Sequence, residues 1–532
     1  MSTPESAFGE LGFRATVDRV VADVAELYLS DGAPWVVGYS GGKDSTAALT
    51  LVWLALRKIP FEQRTKPVHV ITTDTLVENP VVAAWVNNSL TRIREAADPE
   101  GLPIEPHRLL PDISDTFWVN LIGRGYPAPR NKFRWCTERL KIKPSNSFIT
   151  RVVRQNGEAV LVLGTRRAES VRRASNMAHH AQGAVRDRLA PNSALPNSLV
   201  FTPIEHWSND DVWQFLMQIA NPWGHSNKEL LSMYRGASAD GECPLVVDTS
   251  TPSCGSSRFG CWVCTLVDQD KSMEAMIQND HEKDWMLPLL ELRNELDFRT
   301  PEARALERER RDFRRMSGGL TGYVSDGSVQ LVPGPYTRES REHWLRRVLE
   351  TQTYLREQAP DALGDYVLIT REELDEIRRI WVVEKHEIED RLPDVYEAVT
   401  GEPFPVQEFD EHHLFDRETL GILRDTAGGD ELHYELIRNL LDVERRFRTM
   451  AKRRGLFKAL EDQIRRCYFD DSSDALAFVR SNALRRRHAA ERVSRAVDGV
   501  APVEPQPELQ STDERHSTRV SLFGASDDGS PA

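Results

Sequence analysis

Residues 34–58 read PWVVGYSGGKDSTAALTLVWLALRK, and this stretch decides the fold. The apolar run from Pro34 to Gly38 comes directly before a glycine-rich turn, and apolar residues at helical spacing follow the turn as far as Lys58. A buried strand, a tight turn and a helix in that order are typical of the units that build a parallel sheet. The stretch therefore predicts an α/β protein.

The same alternation continues through the first half of the chain. Apolar residues recur with helical spacing over 15–29 and 80–97, and Pro80 suits the first turn of its helix. Ser208 with Asp211 resembles a capping box that opens another helix. Three further apolar runs predict strands at 68–75, 158–165 and 198–204. We expect a parallel sheet with helices on both faces.

The second half of the chain has a different character. Thr370 with Glu373 predicts a helix cap, and the turn-rich stretch 317–337 predicts a hairpin. The last stretch, rich in Pro, Ser and Asp, predicts disorder. The predicted segments are an α/β domain at 1–235, a cysteine loop at 236–270, a mostly helical extension at 271–495 and a disordered tail at 496–532.

Composition excludes two classes of protein. The 532 residues include 68 Lys and Arg against 82 Asp and Glu, a net charge of −14, which excludes a uniformly basic nucleic-acid coat but not a local basic surface. No stretch approaches the apolar run of about 18 residues that a membrane span needs, and the first residues lack the features of a signal peptide. We expect a cytoplasmic protein with no membrane partner.

The glycine-rich turn has the chemistry of an anion site. A helix N-terminus attracts phosphate through its backbone N–H groups. Gly41 and Gly42 let the backbone approach an anion, Ser40 and Ser45 add hydroxyl donors, and Lys43 supplies a charge. The alternative is a plain strand-to-helix turn. The turn is neither a Walker A loop nor a G-x-G-x-x-G dinucleotide loop.

Other polar residues follow the predicted strands. Asp74 ends the second strand and is expected on the ligand side of the sheet, with helix capping as its alternative role. Gly164 and Arg166 leave the next strand in a stretch that continues to Arg173, which predicts an anion site or, alternatively, a solvated helix start.

Cys136 lies in a basic stretch with Lys132, Arg134, Arg139 and Lys141. Nearby positive charge is expected to favour its thiolate, and a buried structural cysteine is the alternative.

Four of the six cysteines cluster within 22 residues. Cys243, Cys254, Cys261 and Cys264 give C-x10-C-x6-C-x2-C among turn-forming residues. One close pair with irregular other gaps fits an iron–sulfur cluster better than zinc, although a structural zinc site and four unrelated cysteines remain alternatives. Trp262 and Phe259 are candidates to shield the cluster, whose role as structure, sulfide source or redox sensor stays open.

The hexapeptide SGGKDS resembles the PP-loop of the ATP pyrophosphatases, which cleave ATP between its α and β phosphates. Together with DT at 74–75, RWCT at 134–137, G-x-R-x-x-E-S from Gly164 and PI-x-x-W-x-x-x-D-V-W from Pro203, it resembles the phosphoadenosine phosphosulfate reductase family over about residues 30–270. The resemblance implies an adenine-nucleotide α-hydrolase-like fold. It also implies that Ser40, Gly41, Gly42 and Ser45 hold pyrophosphate, and that Asp44 organises the loop or Mg²⁺.

With the four cysteines and the long extension, the chain resembles the DndC sulfurtransferase family of bacterial DNA phosphorothioation. This resemblance implies ATP cleavage to AMP and pyrophosphate, a [4Fe–4S] cluster, DNA as substrate, and a cysteine desulfurase and other proteins of that system as partners. We hypothesise Lys43, Asp44 and Cys136 as catalytic residues, with Cys136 as a possible persulfide carrier. Alternatives are a sulfonucleotide reductase, a tRNA thiolase and a non-enzymatic, cluster- and nucleotide-dependent DNA-binding regulator.

Binding of DNA by an acidic chain requires a local basic patch. The candidate patches are Arg166–Arg173, Arg308–Arg315, Lys452–Arg454 and Arg485–Arg487. The alternative for each patch is a solvated helix face with interleaved acidic residues.

Overall fold

The computed structural model describes residues 6–131, 133–169, 175, 186, 188–192, 194–237, 259–325, 328–360, 366–405, 417–448, 450, 452–497 and 519–521. The chain divides into two compact units. The first consists of Met1–Val119, Ala128–Asp297 and Val348–Glu373, and the second of Asn120–Pro127, Phe298–Arg347 and Leu374–Ala532.

A six-stranded sheet forms the centre of the first unit. Its strands are β1 (Trp35–Gly38), β2 (Val68–Thr73), β3 (Ile104–Leu109), β4 (Ala159–Val162), β5 (Ala190–Pro191) and β6 (Ser198–Phe201). They lie in the order β3-β2-β1-β4-β6-β5, and every pair is parallel except β5 with β6. Trp35 of β1 lies opposite Val68 on one side and Val160 on the other. The order reverses at β1, and such a reversal opens a crevice at the carboxyl ends of the strands.

Eight helices accompany the sheet within the described residues of this unit. They are α1 (Phe13–Leu29), α2 (Lys43–Lys58), α3 (Pro80–Ala97), α4 (Lys143–Asn156), α5 (Asn209–Gln218), α6 (Asn227–Gly236), α7 (Lys271–Asn279) and α8 (Leu287–Glu295). Trp35 and Val37 pack into one core with residues of α1 and α2, whereas Val36 packs into a second core with Phe148 and Ile149 of α4. Because alternate residues of a strand point to opposite faces, helices cover both faces, and the predicted α/β class is confirmed.

Local sequence signals explain how two of these helices begin. Asn79 caps α3 by accepting a hydrogen bond from the Val81 N–H at 3.0 Å, and Pro80 occupies its first turn. Ser208 and Asp211 form the predicted capping box at the start of α5, with both hydrogen bonds present.

Strand β3 was not predicted from the sequence. It reads IEPHRL, and its charged residues and proline mask the strand pattern. β3 is an edge strand. An edge strand tolerates Pro106 because a proline, which has no backbone N–H, can face the side that pairs with no neighbouring strand.

The second unit holds most of the remaining helices and a small sheet. Helices after α8 are α9 (Pro301–Glu309), α10 (Arg338–Gln358), α11 (Arg371–Arg379), α12 (Leu392–Thr400), α13 (Arg417–Thr426), α14 (Glu431–Arg448), α15 (Leu456–Arg466) and α16 (Ser472–Val497). The predicted hairpin is present as β7 (Thr321–Ser325) and β8 (Ser328–Leu331).

Strand β9 (Arg519–Ser521) pairs with β7 from within the predicted disordered tail, whose stretches 498–518 and 522–532 lie outside the described residues. The predicted cap of Thr370 and Glu373 is also present, with reciprocal hydrogen bonds of 2.9 and 3.2 Å. In the part of the chain that the structure describes, no helix is both long and apolar enough for a membrane crossing.

Candidate functional site

The predicted anion loop connects β1 to α2 and is held in shape by its own serines. The backbone N–H of Ser40 donates to Ser45 Oγ at 3.1 Å, and Ser45 Oγ donates to the Gly42 carbonyl at 3.0 Å. The hydroxyls of Ser40 and Ser45 lie 3.1 Å apart. These hydrogen bonds stabilise the curvature of the loop.

The first glycine of the loop is required by its surroundings. Gly41 has a φ of +72°, and a Cβ there would lie 2.5 Å from Val86 Cγ2. Its carbonyl accepts a hydrogen bond from the Trp85 indole N–H at 3.1 Å. Gly42 precedes α2, and no side chain caps the start of that helix. The first turn of α2 therefore presents a dipole and backbone donors suited to an anion.

Asp44 lies between two cations. Its Oδ2 is 3.2 Å from Lys43 Nζ, and its Oδ1 accepts a hydrogen bond from Arg166 Nε at 2.7 Å. Arg166 is buried and also donates to the Trp207 carbonyl at 3.3 Å. This arrangement fits Asp44 as an organiser of the loop, because both oxygens hold neighbouring side chains.

Gly164 allows the segment after β4 to pass directly behind the loop. A Cβ at this position would lie 2.5 Å from the Asp44 carbonyl oxygen and 2.9 Å from the Ser45 nitrogen. Both neighbours are backbone atoms, so any larger residue must displace the loop.

Asp74 lies at the carboxyl end of β2. One of its oxygens accepts from Arg108 Nε at 2.9 Å, and the other accepts from the Leu76 N–H at 2.8 Å. The alternative role of capping α3 is wrong, because Asn79 provides that cap.

A cavity of about 1110 Å³ brings the predicted nucleotide residues together. Ser40, Gly41, Gly42, Lys43, Asp44, Ser45, Asp74, Gly164 and Arg166 all line it. Glu78, Lys141, Tyr234 and Phe259 line the same cavity, and sequence reasoning had not placed them there. The arrangement can bind a phosphate-bearing ligand against the start of α2.

Tyr234 is the least predictable of these residues. It comes from α6, and its hydroxyl accepts a long hydrogen bond of 3.4 Å from the Lys43 N–H. Burial raises the pKa of this phenol above its ordinary value, so the side chain stays neutral at physiological pH. Nothing in its sequence neighbourhood signals this contact.

The two described cysteines of the predicted cluster form a turn beside this cavity. The Cys264 N–H donates to the Cys261 carbonyl at 3.1 Å. The Trp262 N–H donates to the Val77 carbonyl at 2.9 Å, which joins the turn to the segment after β2. Trp262 is fully buried beneath the turn. Cys243 and Cys254 lie outside the described residues.

Glu78 connects the cysteine turn to the nucleotide cavity. Its Oε1 lies 3.8 Å from Cys261 Sγ and 3.3 Å from Lys141 Nζ. Burial, together with the Glu78 carboxylate, raises the pKa of Cys261 to about 12, and Lys141 offsets only part of this. The thiol is therefore neutral until a metal or another cation stabilises its thiolate.

The expectation of a favoured Cys136 thiolate is wrong. Burial is the largest influence on this thiol and raises its pKa, and the nearby Cys264 raises it further. Lys141 lowers the pKa of Cys136, but this does not outweigh burial. Arg139 pairs with Asp115 at 2.6 Å and Lys141 pairs with Glu78. Lys132 lies outside the described residues.

Cys136 lies in the same region as the two described cysteines of the turn. The charge of Cys264 contributes to raising the pKa of Cys136 and of Cys261. All three cysteines are partly buried. Among the described residues, their three sulfurs do not all lie within 4.8 Å of one another.

Comparison with known proteins finds a similarity in the α/β region. Residues 34–266 match the sequence profile of the phosphoadenosine phosphosulfate reductase domain. The matched range agrees with the extent of the resemblance found from the motifs, and it contains both the glycine loop and the cysteine turn.

The similarity to a curated protein is low and covers only part of each chain. An uncharacterized protein of Methanocaldococcus jannaschii is 26% identical over 205 residues, which cover 38% of this chain and 36% of that protein. The aligned part therefore spans about a third of the relative's length.

Similar solved structures include two fungal enzymes. Candida glabrata FMN adenylyltransferase, bound to FMN and an ATP analogue, has 12% identity and a TM-score of 0.24 over 43% of this chain and 61% of that chain. Candida auris phosphoadenylyl-sulfate reductase, as a phosphate complex, has 13% identity and a TM-score of 0.23 over 38% and 86%.

Proposed function

We propose that the chain is an ATP-dependent sulfurtransferase that cleaves ATP to AMP and pyrophosphate and helps to insert sulfur into the DNA backbone, as in the DndC family. The position of Glu78 carries this proposal. It lines the nucleotide cavity, and it also contacts the Cys261 sulfur and Lys141. A nucleotide activated in this cavity would therefore lie beside the groups that can supply sulfur.

The first step would activate the DNA phosphate. A non-bridging oxygen of the phosphodiester attacks the α-phosphorus of ATP, the bond to the β-phosphate oxygen breaks, and pyrophosphate leaves. The start of α2 and the Lys43 ammonium stabilise the charge that develops on pyrophosphate. Asp44 and Arg166 position Lys43 for this task. The carboxylates that line the cavity are candidate oxygen ligands for Mg²⁺, which would neutralise phosphate charge; they are Asp44, Asp74, Glu78 and Glu169.

The second step would deliver sulfur. The terminal sulfur of a persulfide carried by Cys136 attacks the activated phosphorus and expels AMP. A thiol reductant then breaks the sulfur–sulfur bond, which leaves the phosphorothioate on DNA and a disulfide between carrier and reductant. A cysteine desulfurase would supply the persulfide sulfur. Cys243, Cys254, Cys261 and Cys264 would hold a [4Fe–4S] cluster, which would stabilise their thiolates.

Pyrophosphate release tests the activation step. The full chain is incubated with ATP, Mg²⁺, DNA and a desulfurase, and pyrophosphate is measured for the wild type, Lys43→Ala and Lys58→Ala. Lys58 ends the same helix α2 and is exposed, so it controls for loss of a lysine. We expect Lys43→Ala to lower turnover about 10²–10³-fold and Lys58→Ala to leave it unchanged. Wild-type turnover in Lys43→Ala would refute the mechanism.

Iron and sulfide analysis tests the cluster. Anaerobically purified protein should contain about four iron and four sulfide per chain. Cys261→Ser should lose most of both. Cys467→Ser should keep them, since Cys467 ends α15 and lies in the other unit of the chain. One zinc per chain without sulfide would exclude the cluster.

A sulfonucleotide reductase is the second candidate, and the matched domain family favours it. Such an enzyme needs an accessible nucleophilic cysteine, yet each of the four described cysteines is partly buried. Phosphoadenosine phosphosulfate with a dithiol reductant separates the two candidates. Sulfite release without ATP cleavage would identify a reductase, and pyrophosphate release without sulfite would support the transferase.

A further inference from the structure

Two histidines and a glutamate converge on the face of β2 and β3. His69 Nδ1 lies 3.1 Å from His107 Nε2 and 3.2 Å from Glu105 Oε2, and His107 Nε2 lies 3.7 Å from the same oxygen. These three atoms form a nearly equilateral triangle. None of the three residues lines the nucleotide cavity, and no thiol is among them.

The strand register places these side chains together. His69 of β2 lies directly opposite Glu105 of β3, and His107 follows two residues later on the same face. Pro106 separates the two ligands on β3 and restricts its backbone, so their spacing is set before any ligand binds. Arg94 donates to the Pro106 carbonyl at 3.2 Å and holds this edge strand in place.

Phe148 of α4 packs against both imidazole rings, with centroid distances of 5.5 Å to His69 and 4.8 Å to His107. A metal ion binds imidazole through a lone pair of a ring nitrogen. An ion bound here would therefore replace the hydrogen bond that joins His69 Nδ1 to His107 Nε2.

We propose that His69, Glu105 and His107 bind a divalent ion of the zinc class. A point equidistant from the three atoms lies about 2 Å from each, which matches the bond lengths of about 2.0–2.2 Å that zinc makes to histidine nitrogen and carboxylate oxygen. Two imidazoles and one carboxylate are also a donor set that zinc uses in proteins. Three protein ligands leave a fourth position for water or an anion.

His107 also borders a second cavity. This cavity has a volume of about 540 Å³, and its wall includes Arg108, Asp112, Lys143 and Arg151. An ion bound to His107 would border this cavity, through which water or an anion could reach the fourth position. The proposal does not depend on the function of the nucleotide cavity.

Cobalt substitution tests the site in the full-length protein. Co²⁺ bound by cysteine shows a thiolate-to-cobalt charge-transfer band, whereas Co²⁺ bound by imidazole and carboxylate shows only visible d–d bands. We expect one sulfur-free Co²⁺ per chain in the wild type, displaced by Zn²⁺. Glu105→Gln and His107→Gln should weaken it at least tenfold, since loss of an outer partner alone costs about 10–100-fold.

Matched variants separate binding from folding. Glu105 is 58% exposed, so Glu105→Gln should fold normally even where His107→Gln does not. His281→Gln removes a histidine that is 96% exposed and should keep the wild-type affinity. The proposal is overturned by a wild type that binds no sulfur-free cobalt, or by Glu105→Gln with undiminished sulfur-free cobalt binding.

Discussion

Two groups of charged residues, one in each unit of the chain, are arranged in opposite ways. In the first unit, Lys43, Asp44 and Arg166 line a large cavity beside an uncapped helix start. In the second unit, arginines form ion pairs with carboxylates of the protein itself. Arg314 Nη2, for example, lies 2.7 Å from Asp312 Oδ2 and 2.8 Å from Glu435 Oε2. One arrangement leaves room for a ligand, and the other satisfies itself within the protein.

This difference bears on one of the candidate patches. The run Arg308–Arg315 has the composition of a nucleic-acid patch, yet Arg311 pairs with Glu307 at 3.1 Å and donates to the Pro333 carbonyl at 2.6 Å. Arg314 is buried and pairs with Glu435 of α14. Two of the arginines in this run therefore have partners within the second unit, and Arg308 and Arg315 are exposed.

The largest effect should come from breaking a closed network in the second unit. Arg314→Met leaves Asp312 and Glu435 without their shared cation and should destabilise the protein by about 3–5 kcal/mol. Arg465→Met is the control, because Arg465 is exposed and makes only a helical pair with Glu461. Urea unfolding measures both. Equal free energies of unfolding for the two variants would show that the buried network stabilises the protein no more than an exposed ion pair does.

The next largest effect should appear at the cavity. Gly164→Ala forces the backbone of Asp44 and Ser45 to move, and a displacement of this size costs about 10²-fold in catalytic efficiency. Gly32→Ala, where an added Cβ would meet nothing within 4 Å, is the control. Nucleotide-dependent turnover distinguishes them. Equal turnover by Gly164→Ala and Gly32→Ala would show that the close contact between residue 164 and the loop backbone is not needed for activity.

The stability of the second unit should depend on pH through Asp442. Burial raises the pKa of Asp442, but hydrogen bonds from His386 and Arg445 and the charge of Arg446 outweigh it and lower that pKa to about 2. The resulting stability, about 2 kcal/mol, is present above pH 4 and is lost as pH falls toward 2. Thermal unfolding of Asp442→Asn should therefore approach that of the wild type on acidification. A difference in melting temperature between Asp442→Asn and the wild type that does not change with pH would contradict this expectation.

The smallest effect is expected at the basic patch Lys452–Arg454. Lys452 and Arg454 are exposed, unlike Arg314. If they contact DNA, replacing both with alanine should weaken binding and reduce the salt slope by about 0.9 per lost phosphate contact. Arg465→Met serves again as the exposed control. A salt slope equal to that of the wild type would remove this patch from consideration.

The sequence predicted those features that depend on neighbours along the chain. The SGGKDS loop, the capping box of Ser208 and the hairpin near 321–331 are all local, and each is present. Strand β3 escaped prediction because Pro106 and charged residues hide the pattern of an edge strand.

Contacts between segments that are far apart in the sequence could not be predicted. Tyr234 and Lys43 are 191 positions apart, and nothing local signals their hydrogen bond. The charge state of Cys136 was mispredicted for the same reason, since burial and the pairing of Arg139 and Lys141 are properties of the fold.

The backbone pairing of Glu78 with Cys261 has a consequence for protein engineering. The Val77 carbonyl and the Trp262 N–H join two loops that are far apart in the chain. A chimaera that exchanges the loop after β2 without residues 259–264 would bring together two partners that had not been selected for each other. The two loops should therefore be transplanted as one module.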